Sequence, residues 1–568
     1  MVKDHRHAMN TATDHPSAWS PLREPLFRAL WIASLASNLG TWMQNVGAAW
    51  LMTDLAASPL LVALVQAATN LPVFVLAVPA GALADIVDRR RLLLVAQSWM
   101  LLVAAALAAV TFAGQMTPWV LLAMTFLLGL GSALNAPAWQ AITPEVVPRE
   151  EVPAAVALGG VSMNVARAVG PALGGLLVAA AGPGATFLFN ALSFLGVLFV
   201  LGRWRRPRET SALPAERFVG AMRGGLRFVR HAPPFRAVLV RAAAFVVGAS
   251  SLLALLPVLM RERTNLGPAY FGILLGFFGA GAVTAVVLLP RLQRWLDAGR
   301  TVTVGTVAIA AVAVAVAWLP SYPLWCALLV IAGAAWTAAL TRLNAAAQAA
   351  APRWVRARAL AVYLLVFYGG IAAGSILWGF VAGRAGVALS LTASAAWLAA
   401  GLLTAVRYRL PQGEGADLEP SRHWPEMAGV PGVEPERGPV MVTVEYRIDP
   451  ARAGEFLDAI RALRDARLRE GAFRWDVFQD ATDPGRVVEV FLVESWVEHL
   501  RQHERVTEAD RIVQDRVQSF HQANTPPVVT HLVAGLHRAA RTGRATEVDS
   551  RTPGPGKPVS DSTPKRIG

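Results

Sequence analysis

Twelve stretches of this sequence are almost entirely apolar, and each is about as long as a membrane-crossing helix. A helix needs about 20 apolar residues to cross the hydrocarbon core, because it rises about 1.5 Å per residue. The stretches cover residues 27–52, 59–83, 92–113, 118–143, 152–181, 184–202, 237–260, 269–290, 301–319, 323–350, 358–382 and 386–406. They predict an all-α polytopic membrane protein with twelve transmembrane helices in two six-helix halves, 26–202 and 237–406, joined by a basic loop at 203–236.

The charged residues are distributed unevenly along the chain. Only 16% of the 568 residues are charged, against about 25% in a typical soluble protein. The net charge of +14 lies mostly in the short loops between apolar stretches, where the positive-inside rule accounts for it. We therefore expect no nucleic-acid partner. Cys326 is the single cysteine and lies in an apolar stretch, so the chain cannot form a disulfide framework.

Arginines lie on alternate connections between the predicted spans. The connections after the second, fourth, sixth, eighth and tenth spans are basic, and Arg261, Arg263 and Arg384 are the exceptions on the opposite side. This asymmetry predicts that both termini are cytoplasmic, including a tail at 1–25. In the middle loop, the sequence GAMRGGLRFVRHAPPFR predicts an amphipathic basic helix on the inner leaflet.

The two halves carry similar residues at a nearly constant offset. Asp54 and Glu262 stand at the ends of the first and seventh spans, 208 positions apart. Pro59 and Pro268 open the next spans at an offset of 209. Internal repeats of this kind are typical of secondary transporters.

The connection between the second and third spans reads GALADIVDRRR, residues 81–91. It resembles the loop after the second helix in the major facilitator superfamily, whose pattern is Gly-x-x-x-Asp-Arg-x-Gly-Arg-Arg. Gly81, Asp85, Arg89 and Arg90 match this pattern, whereas Ile86 and Asp88 replace a basic residue and a glycine. The stretch NAPAWQAITPEVVP and a Gly-Pro-x-x-Gly-Gly element at 170–175 are similar to the enterobactin-exporter branch.

Several polar side chains fall inside the predicted spans, where each needs a partner or a water-filled cavity. In the superfamily, particular spans line the central cavity, and this resemblance favours the polar residues of those spans as cavity residues. We expect cavity roles for Asn38, Trp42, Gln44, Asn45, Asn135, Gln140, Asn164, Arg167, Arg342 and Asn344. Gln66 and Asn70 are further polar residues in the second span. Helix–helix hydrogen bonding is the alternative role for any single Asn or Gln. Arg167 is the strongest candidate, because a charged guanidinium in the membrane needs an acceptor or an anionic substrate.

The resemblance also implies residues that gate and couple transport. The expected gating residues are Gly81, Asp85, Arg89, Arg90, Gly170, Pro171, Gly174 and Gly175. No Asp, Glu or His falls inside an assigned span, although the family usually titrates a carboxylate there. Asp54 and Glu262, at the span ends, are therefore the coupling candidates, with a proton as the implied coupling ion. Solvation at the membrane interface is their alternative role.

The chain after residue 406 is polar. Residues 407–438 are rich in Pro, Gly and Glu and predict a linker. Residues 439–540 contain predicted strands and helices in the order β-α-β-β-α-β, which indicates a ferredoxin-like α+β domain. Residues 541–568 are predicted to be a disordered tail. The domain resembles the antibiotic-biosynthesis monooxygenases, which implies Trp496, His499 and His503 as its candidate site residues. Two histidines four residues apart are a weak metal motif, and a buried structural pair or a dimer contact is the favoured alternative, so we expect no metal and no cofactor.

These observations favour a secondary active transporter of a bacterial inner membrane. The resemblance implies export of a small amphipathic organic molecule, such as a drug, siderophore or secondary metabolite, by alternating access. The chain as a whole is expected not to be an enzyme. Two alternatives stay open for the C-terminal domain: a cofactor-independent monooxygenase, and a ligand-sensing or dimerising module.

Overall fold

The computed structural model describes residues 19–56, 58–204, 218–411, 418–421, 423–424, 434 and 436–534. Its first half contains six long helices: α1 Pro25–Leu55, α2 Pro59–Ile86, α3 Arg89–Phe112, α4 Pro118–Ile142, α5 Val152–Ala181 and α6 Pro183–Arg203. A shorter helix, α7 Phe218–His231, precedes the second half. That half contains α8 Pro233–Arg263, α9 Pro268–Leu292, α10 Ala298–Trp318, α11 Tyr322–Ala349, α12 Arg356–Ala385, α13 Val387–Gly401 and the short α14 Thr404–Arg407.

Eleven of the described helical segments are long and apolar enough to cross a membrane. The prediction of a polytopic helical membrane fold is therefore confirmed. Among the helices that cover the twelve predicted spans, α1 is the one outside this set; it is 31 residues long but has Asn38, Gln44 and Asn45 in its middle. These polar residues lower its hydropathy, and the count of twelve spans stays a prediction.

Local sequence signals explain where the helices begin. Proline occupies the first helical position of α1, α2, α4, α6, α8 and α9, where its missing N–H removes no helical hydrogen bond. Aspartates cap two helices that lack this proline. The Asp88 carboxylate accepts a hydrogen bond from the Arg91 backbone N–H at 2.9 Å, and Asp297 accepts one from Arg300 N–H at 2.7 Å. Asp88, which replaces the family's usual glycine, thus starts α3.

The two halves meet along two helix pairs, α2 with α12 and α5 with α9. A large apolar core extends across both halves and includes Met52, Leu255 and Phe271. We call the face where α1 and α8 end the far face. The opposite face, where α3 and α12 begin, is the near face. α7 lies at the near face, and a Cβ built on its Gly225 would be 3.0 Å from the Arg358 Cβ of α12.

The C-terminal region forms a four-stranded antiparallel sheet with three helices. In chain order these are β1 Val440–Arg447, α15 Ala453–Glu470, β2 Ala472–Gln479, β3 Arg486–Val493, α16 Trp496–Arg505, α17 Glu508–Gln518 and β4 Val528–Val533. The strand order is β2-β3-β1-β4. Alternate residues of β1 are buried, as expected for a strand with one covered face, and they pack on Phe456 and Phe491.

This sheet region contacts the near face of the helical bundle. Arg227 of α7 donates a hydrogen bond to the Gly471 carbonyl at 2.7 Å. The Arg505 guanidinium lies 4.6 Å from the ring centre of Trp354, between α11 and α12. His231 lies 3.9 Å from Asp465, and burial lowers the pKa of this histidine although the carboxylate opposes the shift.

Candidate transport cavity

A cavity of about 300 Å³ lies between the two halves. It is lined by α1, α2 and α5 from the first half, and by α8, α9, α11 and α12 from the second. Most of its wall is apolar. The polar side chains on the wall are Asn45, Gln66, Thr69, Asn70, Arg167, Ser250 and Tyr368. An apolar cavity with a few convergent polar groups is the usual form of a small-molecule site.

Arg167 supplies the positive charge of this cavity. It lies in the middle of α5 and is half-buried. Its guanidinium carbon lies 5.6 Å from the ring centre of Trp42, close enough for a cation–π interaction. Within the described parts of the chain, Arg167 forms no ion pair with a carboxylate. A cation–π contact contributes about 0.5–2 kcal/mol, less than the cost of at least about 2.5 kcal/mol for an arginine at mid-membrane.

Aromatic rings form much of the remaining wall. These are Trp42, Phe271, Phe278, Trp336, Phe367 and Tyr368. Phe278 and Trp336 are packed edge to face, with ring centres 6.5 Å apart. Aromatic faces bury large apolar area and accept planar ligands. A ligand with an apolar body and an anionic group would match both the rings and Arg167.

Three of the ten residues predicted for the cavity line it: Trp42, Asn45 and Arg167. The structure places others between helices. Asn38 of α1 donates a hydrogen bond to Ser162 of α5 at 3.2 Å. Gln44 is buried on another side of α1, where its carbonyl accepts a hydrogen bond from the Asn190 amide at 2.6 Å.

The remaining predicted cavity residues also lie off the described wall. The Asn135 carbonyl accepts a hydrogen bond from Gln97 of α3 at 3.0 Å. Asn344 accepts one from Gln348, one turn further along α11, at 2.6 Å, and Arg342 donates to the Leu296 carbonyl at 3.3 Å. Gln140 is exposed and Asn164 is half-buried.

The sequence analysis missed Trp336, Phe367, Tyr368 and Ser250. Each stands in an apolar or small-residue stretch, so its sequence neighbours do not distinguish a cavity wall from a lipid-facing or core position. No local signal in the sequence identifies these four.

The glycines of the Gly-Pro-x-x-Gly-Gly element bring α5 close to two other helices. A Cβ on Gly170 would be 2.7 Å from the Trp42 Cβ, and one on Gly174 would be 2.8 Å from the Met43 Cα, both on α1. A Cβ on Gly175 would be 2.8 Å from the Gly272 Cα of α9. Pro171, between these contacts, lines the cavity.

An ion pair and hydrogen bonds hold the first turn of α3 against neighbouring segments on the near face. Arg89 pairs with Glu145 at 2.7 Å. Arg90 donates hydrogen bonds to the carbonyls of Leu201 and Gly202, both at 2.8 Å. The surroundings of Gly81 and of the Asp85 side chain, the other two gating residues predicted here, lie outside the described part of the structure.

An ion pair joins the halves at the far face. Arg261 of α8 forms a salt bridge with Asp54 of α1 and donates a hydrogen bond to the Thr53 hydroxyl at 3.3 Å. The internal repeat aligns Asp54 with Glu262. The ion-pair partner of Asp54, however, is Arg261, the residue before Glu262. Glu262 is exposed.

In the C-terminal region, Trp496 and His499 are buried and pack together, with ring centres 5.6 Å apart. His503 packs on His499 at 4.9 Å. The candidate residues predicted for this domain therefore form one cluster along α16, from its first residue, Trp496, to His503 in its last turn.

Similarities to known proteins are consistent with this architecture. The family model described as "Transmembrane secretion effector" matches residues 16–540. The staphyloferrin A transporter of Staphylococcus aureus is 26% identical over 260 residues, which are 45% of this chain and 65% of that protein. This chain therefore spans just under two thirds of that relative. The multidrug efflux pump Tap of Mycolicibacterium fortuitum is 26% identical over 411 residues, covering 70% of this chain and 98% of the pump.

Solved structures share the fold at low sequence identity. An inward-facing, occupied bacterial homolog of the human lysosomal transporter Spinster has a TM-score of 0.55 and 15% identity, covering 68% of this chain and 97% of that one. The nucleoside transporter NupG has a TM-score of 0.54 and 14% identity, covering 67% and 98%. Because the family model matches nearly the whole sequence, this chain belongs to the transmembrane secretion effector family of major facilitator transporters.

Proposed function

We propose that this protein exports a small amphipathic organic anion across the bacterial cytoplasmic membrane by alternating access. The observation that carries the proposal is Arg167, which lies without a carboxylate partner among the described residues, in an aromatic cavity between the two halves. An anionic group on the ligand would supply the missing counter-charge. The relatives named for staphyloferrin A and for multidrug efflux support export of a small organic molecule.

We include α1 as a twelfth span. Its 31 residues extend about 46 Å at 1.5 Å per residue, longer than the roughly 30 Å hydrocarbon core. Its polar side chains have protein partners or line the cavity, as Asn38, Gln44 and Asn45 do. Polar groups satisfied in this way do not prevent a helix from crossing a membrane.

The near face is the cytoplasmic side in this proposal, because the arginines between the spans are concentrated there. Both termini are then cytoplasmic. Closure at the extracellular side involves the tight contact of α5 with α9 and the Asp54–Arg261 ion pair. Asp54 and Glu262 remain the coupling candidates, with the proton as the coupling ion.

Residues 439–540 form a ferredoxin-like domain in this proposal, between the linker 407–438 and the tail 541–568. The strand order β2-β3-β1-β4 and the helices after β1 and β3 support it. Exposed apolar side chains on the edge strands, including Phe478 and Val528, support dimerisation through this domain. Vesicles containing a chain that ends at residue 410 should still transport, because the cavity lies wholly in the helical part.

Transport of carboxyfluorescein, an amphipathic anion, into everted vesicles tests the substrate class. Arg167→Ala should lower the initial rate at least 10-fold, and Arg167→Lys should retain part of it because the charge remains. Asn164→Ala is the matched control, since Asn164 lies one turn away on α5 and is not part of the described wall. An Arg167→Ala protein that inserts normally and transports the dye at the wild-type rate would refute the proposal.

A further inference from the structure

Three histidines converge in the C-terminal domain from two different elements. His499 and His503 are one turn apart on α16 and share a face of that helix. His531 is on β4 and reaches the same point. One ring nitrogen of each lies within 4.8 Å of the others, and the ring centres of His499 and His531 are 4.8 Å apart. The sequence shows that His499 and His503 share a helix face, but His531 is distant in the chain and only the fold brings it close to them.

The spacing of the first two imidazoles matches a tetrahedral metal site. The Nε2 atoms of His499 and His503 are 3.3 Å apart. Two nitrogens bound at about 2.0–2.1 Å to a tetrahedral Zn²⁺ are about 3.3–3.4 Å apart. The third nitrogen lies no further than 4.8 Å away, and the half-buried His531 side chain would have to move inward to reach the same separation when a metal binds.

A glutamine lies where it can support the tautomer that a metal requires. The His499 Nδ1 lies 3.3 Å from the Gln502 Oε1. With Nδ1 protonated and donating to this carbonyl oxygen, Nε2 would present its lone pair to the cluster. An outer hydrogen bond of this kind is the usual support of a metal-binding histidine.

The surroundings enclose the cluster. His499 is buried, and His503 and His531 are half-buried. Trp424 packs edge to face on His503, with ring centres 4.7 Å apart. A metal ion bound here would be largely shielded from bulk water.

We propose that His499, His503 and His531 bind one divalent transition-metal ion, for which Zn²⁺ is the best match. Three imidazole ligands suit Zn²⁺, Cu²⁺ and Ni²⁺, and tetrahedral spacing favours Zn²⁺ among them. The fourth position would be taken by water or another small ligand. Since α16 also carries Glu498 and Arg505, which contact Arg227 and Trp354 at the near face, the ion would join β4 to the helix that docks on the bundle.

Metal titration of the full chain in detergent tests this site, using a purification tag without histidines and removing metal with EDTA beforehand. We expect calorimetry with Zn²⁺ to give one ion per chain, and Co²⁺ to give the visible absorption bands of a tetrahedral complex. His531→Ala and His503→Gln should each weaken binding by at least about 100-fold, since loss of an outer partner alone costs 10–100-fold. Gln502→Ala, which removes an outer partner of His499, should weaken Zn²⁺ binding by about 10–100-fold.

The control is His5→Ala/His7→Ala, which removes two other histidines of the chain and should leave the titration unchanged. Circular dichroism of each metal-free variant separates loss of ligand from loss of folding, and His503→Gln serves if His531→Ala does not fold. The proposal is overturned if the wild-type chain binds no Zn²⁺. It is equally overturned if folded His531→Ala and His503→Gln bind Zn²⁺ as the wild type does, because the three imidazoles then only pack and hydrogen-bond.

Discussion

Replacing Gly175 by alanine should shift the transporter away from the state in which its far face is closed. Gly175 on α5 faces Gly272 on α9, so the contact joins the two halves. An added Cβ would lie 2.5 Å from the Pro268 carbonyl oxygen and 2.8 Å from the Gly272 Cα. Both atoms belong to the backbone and cannot rotate away. The methyl group fits only if the two helices separate.

The size of the shift follows from the cost of overpacking. Extra carbon atoms in a close-packed contact cost about 1–3 kcal/mol. A cost confined to the closed state changes the ratio of open to closed protein by about 5–150-fold. Gly160→Ala is the matched control, because its Cβ would meet no atom within 4 Å. Both variants share the helix-propensity gain of about 0.5–1 kcal/mol from replacing glycine, so that gain cancels in the comparison.

Labelling of a cavity cysteine measures the shift. Asn45→Cys, in a Cys326→Ser background, places one thiol on the cavity wall. A membrane-impermeant maleimide applied to intact cells should react at least 5-fold faster in the Gly175→Ala variant than in the Gly160→Ala variant. Equal labelling rates, with both proteins folded and inserted, would refute the role of the α5–α9 contact in closing this face.

Three further predictions concern polar contacts. Gln44→Leu should destabilise the helical part by about 1–3 kcal/mol, because it leaves the buried Asn190 amide without its acceptor. Thermal unfolding in detergent measures this loss. The double variant Gln44→Leu/Asn190→Leu should recover part of the stability if the hydrogen bond is the cause. Asp54→Asn should change the melting temperature little, because both partners of the Asp54–Arg261 pair are nearly half exposed and such pairs contribute about 0–1 kcal/mol; a large drop would contradict the exposure seen here. Glu489→Gln should lower the stability of the C-terminal sheet region by about 3–5 kcal/mol, since the buried Arg467 pairs with Glu489 at 3.1 Å. Hydrogen exchange of the β1 and β3 amides in the full chain should become faster. Unchanged exchange would contradict the prediction.

The sequence predicted the membrane architecture well because its signals are local. Pro59 and Pro268 mark the beginnings of α2 and α9 in both the sequence and the structure. The strands of the C-terminal sheet likewise follow from alternation over a few residues. Length, apolar content and a proline at the first turn together determine where a helix starts, without reference to distant parts of the chain.

Only part of the cavity could be predicted, because the polarity of a residue does not determine which way its side chain points from the helix. Gln44 and Asn45 are adjacent on α1, yet successive helical residues point about 100° apart. Gln44 therefore reaches α6, where it accepts a hydrogen bond from Asn190, while Asn45 faces the cavity. Which of the two directions is the cavity depends on how the other half packs, and that is a long-range property. The convergence of His531 on His499 is long-range in the same sense.

One helix, α5, connects the proposed binding site to the contact with α9 that we propose closes the far face. Arg167 directs its side chain at the cavity, while its backbone carbonyl would be 2.5 Å from a Cβ on Gly279 of α9. Gly175 follows eight residues later, about 12 Å along the same helix. A ligand shifts a conformational equilibrium only by its difference in affinity for the two states. An anion on Arg167 can supply that difference if it also contacts α9 or α12, because a separation of the two halves would move those helices away from α5. Phe278 and Tyr368, on these two helices, line the same cavity, so a ligand that bridges Arg167 to either of them would favour the closed contact at Gly175.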